Sequence, residues 1–227
     1  MNARRLLRSI PHPVVLVALL VSSILVACSE HPVSHRKPAQ VFTGSEWLER
    51  EDREAEERPD ELLEILRLKS GDRVADVGCG TGYFARRMAG RVIPGGVIYA
   101  EDIQPQMLER VRQRAEEDGI SNIETILGTE TDPKLPAGGI DLILLVDVYH
   151  EFQKPQEMLA NLRKALAPGG RVTLVEYRLE GDTALHISLE HRMSVEQVLA
   201  EWTPAGFELV ERIESLPTQH LFLFRKR

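Results

Sequence analysis

The chain has 227 residues, 43% of them hydrophobic, a net charge of −7 and only two cysteines. A domain of this length buries an adequate core unaided, and Cys28 with Cys79 does not make a disulfide scaffold. No basic stripe with interleaved aromatics offsets the acidic balance, so a nucleic-acid partner is excluded.

Arg4, Arg5 and Arg8 precede an apolar run over residues 14–27. The run is too short for a comfortable membrane span and has the layout of an export signal. It ends in Leu25-Val26-Ala27-Cys28, which resembles a bacterial lipoprotein signal, cleaved before a cysteine that then carries lipid. The expectation is a signal peptide over 1–27, a polar tether over 28–45 and one domain over 46–227. Loss of the three arginines takes the net charge from −7 to −10. Ser29 after the cysteine points to the outer membrane of a two-membrane bacterium, with the domain exported to the periplasmic face.

Residues 47–58 are charge-dense and helix-prone, with Arg50 and Glu54, and Glu49 and Arg53, at the spacing of one-face pairs. A short buried strand is predicted over 73–77. It runs into Gly78-Cys79-Gly80-Thr81-Gly82, and a helix starts near Tyr83. Glycines at such a turn let backbone approach a ligand closely and adopt dihedrals that a Cβ forbids. Asp76, two residues before the first glycine, repels a pyrophosphate and suits an amine-bearing ligand. A nicotinamide-binding turn wants G-x-G-x-x-G, but Gly82 comes one place early and Tyr83 follows. The Gly-Lys-Ser/Thr of a phosphate loop is absent.

A second strand, 97–100, ends in Glu101-Asp102-Ile103, and Pro105 opens a helix reaching residue 117. An acid at that strand tip accepts hydrogen bonds from a ribose diol, and Glu101 reads as a solvated strand-end charge. Residues 122–128 form a third strand. Residues 141–147 read as a central parallel strand buried on both faces. Helices follow over 156–166 and 195–204, and strands over 171–177, 207–213 and 219–224.

The glycine turn with Asp76, followed by Asp102, resembles motif I and its partner acid in the class I S-adenosylmethionine (SAM) methyltransferases. The resemblance covers the chain from about residue 46 to its end. It implies an α/β, Rossmann-like, doubly wound and mainly parallel seven-stranded sheet, order 3-2-1-4-5-7-6 with strand 7 antiparallel. It implies SAM held by Asp76, Gly78, Gly80, Gly82 and Asp102, with Ile103 against the adenine. Many members carry Gly-Asp-Ala where this chain has Gly128-Thr129-Glu130, so the adenine amino contact falls to Thr129, Glu130 or Asp132. An N-terminal helix closes over the cofactor in related folds, where one of Arg50, Arg53 or Arg58 would meet the SAM carboxylate.

Methyl transfer needs an aligned nucleophile and a place for its proton. The segment Asp147-Val148-Tyr149-His150-Glu151-Phe152 just past the fourth strand is where such groups belong. Asp147 and Tyr149 would line the cofactor pocket, and His150 suits a base because an unperturbed imidazole has its pKa near neutrality. Tyr177, His191 and His220 are further polar candidates. No tight ligand spacing such as His-x-x-x-His supports a metal site, so none is expected. The expected function is methyl transfer to a small-molecule acceptor. The alternatives are an exported SAM- or nucleoside-binding lipoprotein without catalysis, and a Rossmann oxidoreductase, which the glycine spacing disfavours.

Overall fold

The computed structural model of the protein describes residues 37–227. The signal, Cys28 and the first half of the tether therefore lie outside the described residues. Among the described residues, seven strands form one sheet: β1 (Arg73–Val77), β2 (Val97–Asp102), β3 (Ile123–Leu127), β4 (Ile140–Val146), β5 (Leu166–Tyr177), β6 (Phe207–Ile213) and β7 (Gln219–Lys226). Their order is β3-β2-β1-β4-β5-β7-β6, with the first five parallel and β7 antiparallel to both neighbours. This is the expected sheet. β5 starts earlier than residue 171: Leu166 already pairs with Ile140, and a register break follows before Arg171 pairs with Leu142.

Helices cover both faces, as apolar residues at alternate strand positions require. On one face α2 (Pro59–Ile65), α3 (Tyr83–Val92) and α4 (Pro105–Glu117) pack through Leu62, Met88 and Val111 onto Val74, Ile98 and Leu144. On the other, α5 (Pro155–Ala165) and α6 (Val195–Trp202) pack through Leu159 and Trp202 onto Ile143, Leu145 and Phe224.

The N-terminal segment departs from a single solvated helix. A 3-10 turn (Trp47–Glu49) and a short α1 (Arg53–Glu57) are followed by Arg58 at φ 47°, where the chain turns into Pro59 of α2. Neither expected one-face pair forms. Arg50 instead reaches Glu56 and Glu57, and Glu49 reaches across to Arg86 and Arg114. Arg53 and Glu57 are buried and paired at 2.7 Å. Burial here reflects docking over the cavity below, which periodicity within the helix does not reveal. The domain also takes hold of the chain before residue 45: Ala39 is buried and its N–H donates to the His150 carbonyl.

Candidate active site

At the carboxyl ends of β1, β2 and β4 lies a cavity of about 430 Å³, within the range of small-molecule sites. Its floor is the glycine turn. Gly78, Gly80 and Gly82 all have positive φ, at 67°, 53° and 81°. A Cβ on Gly78 would stand 2.2 Å from Val148 Cγ2, and one on Gly80 2.6 Å from Leu48 Cδ1. The turn is thus glycine by dihedral and by space. Cys79 is buried within it, and burial pushes its thiol well above the ordinary range, which fits a packed residue rather than a nucleophile.

Both acids at the end of β2 hold this turn. Asp102 accepts from the Gly80 and Gln104 amides at 2.9 and 2.8 Å. Glu101 is not a solvated charge: it is 2% exposed and accepts from the Gly78 amide at 3.3 Å. Gly128 makes room for it, since a Cβ there would fall 1.7 Å from Glu101 Oε1. That glycine was the one sequence signal for a buried Glu101. Burial, reinforced by Asp102, holds Glu101 well above the usual carboxylate range. Asp76 is pushed up to about 7 by burial, with the Ala85 amide and Arg53 opposing and Asp102 adding.

Ile103, Thr129 and Glu130 line the cavity beside Asp102. Asp132 does not. Its carbonyl accepts from the Thr129 amide and its carboxylate from the Lys134 amide. Arg50 and Arg53 face the cavity under the N-terminal segment, whereas Arg58 bonds Glu61 and the Ser215 carbonyl elsewhere. Trp47 also lines the cavity, with the Arg50 guanidinium 3.9 Å from its ring centroid.

Asp147 lies at the cavity in a left-handed conformation (φ 50°), which is strained for a residue with a Cβ. Gln219 donates to its Oδ2 at 2.6 Å, and burial raises its pKa, as do Glu57 and Glu176. Tyr149 does not line the cavity, and that expectation is corrected. It is fully buried on the opposite side of the turn, against Phe152 and Trp202, and its hydroxyl donates to Glu201 at 2.6 Å. In a tight turn neighbouring side chains diverge, so His150 faces the cavity where Tyr149 faces the core.

His150 is 3% exposed. Its Nδ1 lies 2.6 Å from Glu176 Oε2, and its Nε2 lies 2.9 Å from His191 Nδ1. A carboxylate oxygen accepts, so Nδ1–H donates to Glu176 and Nε2 is turned toward His191. Glu176 also accepts from the Tyr149 and His150 amides, fixing the whole turn. His191 was separated from His150 by 41 residues, a pairing no local pattern signals. Tyr177 lines the cavity and donates to Glu57 at 2.9 Å, while His220 bonds Glu214 and Glu180 away from it.

Among the described residues, Asp76 Oδ2, Glu101 Oε1 and Asp147 Oδ1 are buried acceptors without a partner, and all three residues line the cavity. Such oxygens require donors. An ammonium group and ribose hydroxyls supply them, and the glycine turn admits the backbone contact, so the residues present fit SAM.

Comparison with known proteins agrees. The family model "Methyltransferase domain" matches residues 68–216. Aklanonic acid methyltransferase DauC of Streptomyces sp. (strain C5) is 30% identical over 159 residues, 68% of this chain and 71% of that protein. Nocamycin O-methyltransferase of Saccharothrix syringae is 32% identical over 113 residues, 50% of this chain and 40% of that protein, so this chain spans less than half of that relative. A solved SAM-dependent methyltransferase from Aquifex aeolicus superposes with a TM-score of 0.74 at 23% identity, covering 79% of this chain and 95% of that one, which shows a shared fold. The chain belongs to the methyltransferase-domain family, whose cofactor is S-adenosylmethionine.

Proposed function

We propose that this chain transfers a methyl group from SAM to a small-molecule acceptor seated beside His150 and His191. The observation that carries the reading is the set of buried acid oxygens, without a partner among the described residues, around a glycine turn, in one cavity with a carboxylate-fixed histidine. Bound there, SAM supplies an electrophilic sulfonium methyl group. Asp76 would meet the ammonium, and Arg53 or Arg50 the carboxylate. Asp102 would accept from the ribose and Ile103 would lie against the adenine, with Thr129 or Glu130 beside it. His150 Nε2, its tautomer set by Glu176, takes the acceptor's proton or orients the acceptor. The names of both relatives, aklanonic acid and nocamycin methyltransferases, favour a small-molecule acceptor.

Calorimetry with SAM, S-adenosylhomocysteine and NAD tests the cofactor, and loss of methyl donor over a metabolite panel tests turnover. SAM should bind and NAD should not. Asp102→Ala should weaken SAM by roughly 1.5–3 kcal/mol, about 10- to 150-fold, in a folded protein. Unchanged affinity would remove Asp102 from the site, and SAM binding without turnover on any acceptor would favour a binding protein.

The domain is exported and held at the membrane by lipid on Cys28. The arginines ahead of a short apolar run and the Leu25-to-Cys28 tetrad support this. Among the described residues no helix is long and apolar enough to cross a membrane. Intact-mass measurement of the membrane fraction should show residues 1–27 missing and lipid mass added. A full-length, unmodified chain in the cytosol would refute the anchor.

A further inference from the structure

His150, Glu151 and His191 each offer one ligand atom, and the three atoms lie within 4.8 Å of one another at the cavity wall. We propose that His150 Nε2, His191 Nδ1 and a Glu151 carboxylate oxygen form a binding site for a divalent cation of the zinc class. The donor set of two imidazoles and one carboxylate is the type borderline transition metals prefer, and alkaline-earth ions do not.

Three features of the geometry support it. First, His150 is oriented from behind. Its Nδ1–H donates to the fully buried Glu176, which directs the Nε2 lone pair toward His191. A carboxylate in that place fixes the tautomer of a metal-bound histidine and raises its basicity. Second, the spacing is close to what a metal needs. Zinc–nitrogen bonds of about 2.0–2.1 Å at a tetrahedral angle set two ligand nitrogens about 3.3 Å apart. The present separation of 2.9 Å is that of a hydrogen bond between the two rings, and it opens to the metal distance by a small swing of His191, which is only partly buried. The rings stand nearly perpendicular, at 85°, so neither blocks the other's nitrogen. Third, Glu151 Oε1 already lies 3.9 Å from His150 Nε2 and is positioned by the Phe42 amide at 3.1 Å.

The ligands come from two 3-10 turns, Tyr149–Glu151 and Leu189–His191, a placement that ligand spacing in sequence does not reveal. Three protein ligands leave a fourth position, as catalytic rather than structural zinc sites do. In this site that position faces the cavity, and it suits an oxygen or sulfur of the acceptor, whose proton a bound cation makes more acidic. A ligated Nε2 commits its lone pair to the metal, so the cation would take over the task assigned above to the His150 imidazole. The site stands independently of methyl transfer, because it is read by metal binding alone.

The test uses the untagged full chain, stripped with a chelator and titrated with zinc and with cobalt. One equivalent should bind, with cobalt giving the visible absorption of a four-coordinate ion. His191→Ala and Glu151→Gln should each weaken zinc by at least about tenfold, and Glu176→Gln by about 10- to 100-fold. Circular dichroism on His191→Ala should match the unaltered chain, and the metal-stripped unaltered chain should still bind SAM by calorimetry, which separates failure of the metal site from failure of the SAM site. Zinc affinity equal in the unaltered chain and His191→Ala would overturn the proposal and move the metal to other groups, such as His12, His31 or His35. Absence of stoichiometric binding would overturn it as well.

Discussion

Asp76 is a carboxyl held at the edge of ionisation by its surroundings. Burial pushes it up to about 7, and one of its oxygens is buried without a partner among the described residues. Below that pH it is neutral and meets the ligand's ammonium as a dipole. Above it the pair is ionic. SAM affinity should therefore strengthen as pH rises through about 7 and level off beyond, by at most about tenfold per pH unit. The free protein should show the opposite trend in stability. From the ordinary carboxylate range up to about 7 the folded state keeps a proton that the unfolded chain has lost, so stability falls as pH climbs. Calorimetry across this range checks the first trend, and Asp76→Asn should flatten it. A pH-independent affinity in the unaltered chain would detach Asp76 from the ammonium.

The β1-to-α3 turn acts as one element, because its three left-handed glycines are fitted to three different neighbours: Val148, Leu48 and Val111. Gly78 has the least room. Gly78→Ala imposes a left-handed conformation, roughly 1–2 kcal/mol, and drives Cβ into Val148. SAM affinity should drop by about tenfold or more. Gly138→Ala is the control: its φ is 65° but nothing lies within 4 Å of a new Cβ. It should lower the melting temperature and leave affinity intact. Equal affinities for the two variants would show that the turn does not shape the site. This element was readable from sequence because its cause is local: spacing, φ preference and the flanking strand. The N-terminal segment was not. Helical spacing offered Glu49 to Arg53, yet Glu49 accepts from Thr81 at 2.6 Å and pairs with Arg86 and Arg114. Those partners belong to α3, α4 and the glycine turn, and only docking brings them near.

At the scale of the molecule, the sheet order followed from the alternation of apolar strands and amphipathic helices and from the resemblance at motif I. What stayed hidden depends on which way a side chain turns at a bend. Adjacent residues Tyr149 and His150 look equivalent in sequence, yet one joins the core with Trp202 and the other the cavity. Glu101 and Asp102 were ranked by position in strand β2, and both proved to be buried.

The sheet also divides what supports the site. The glycine turn leads into α3, on the face packed through Met88 and Val111. The turns carrying His150 and His191 lead into α5 and α6, on the face packed through Leu159 and Trp202. On the proposed function, the turns assigned to donor and to acceptor thus lead into helices on opposite sides of one layer of strands. Substitutions well separated by that layer add rather than compound. On the proposed function, changes at the cavity-lining residues His186, Ile187 and Ser188 would therefore alter the acceptor side while the glycine turn keeps its hold on the donor.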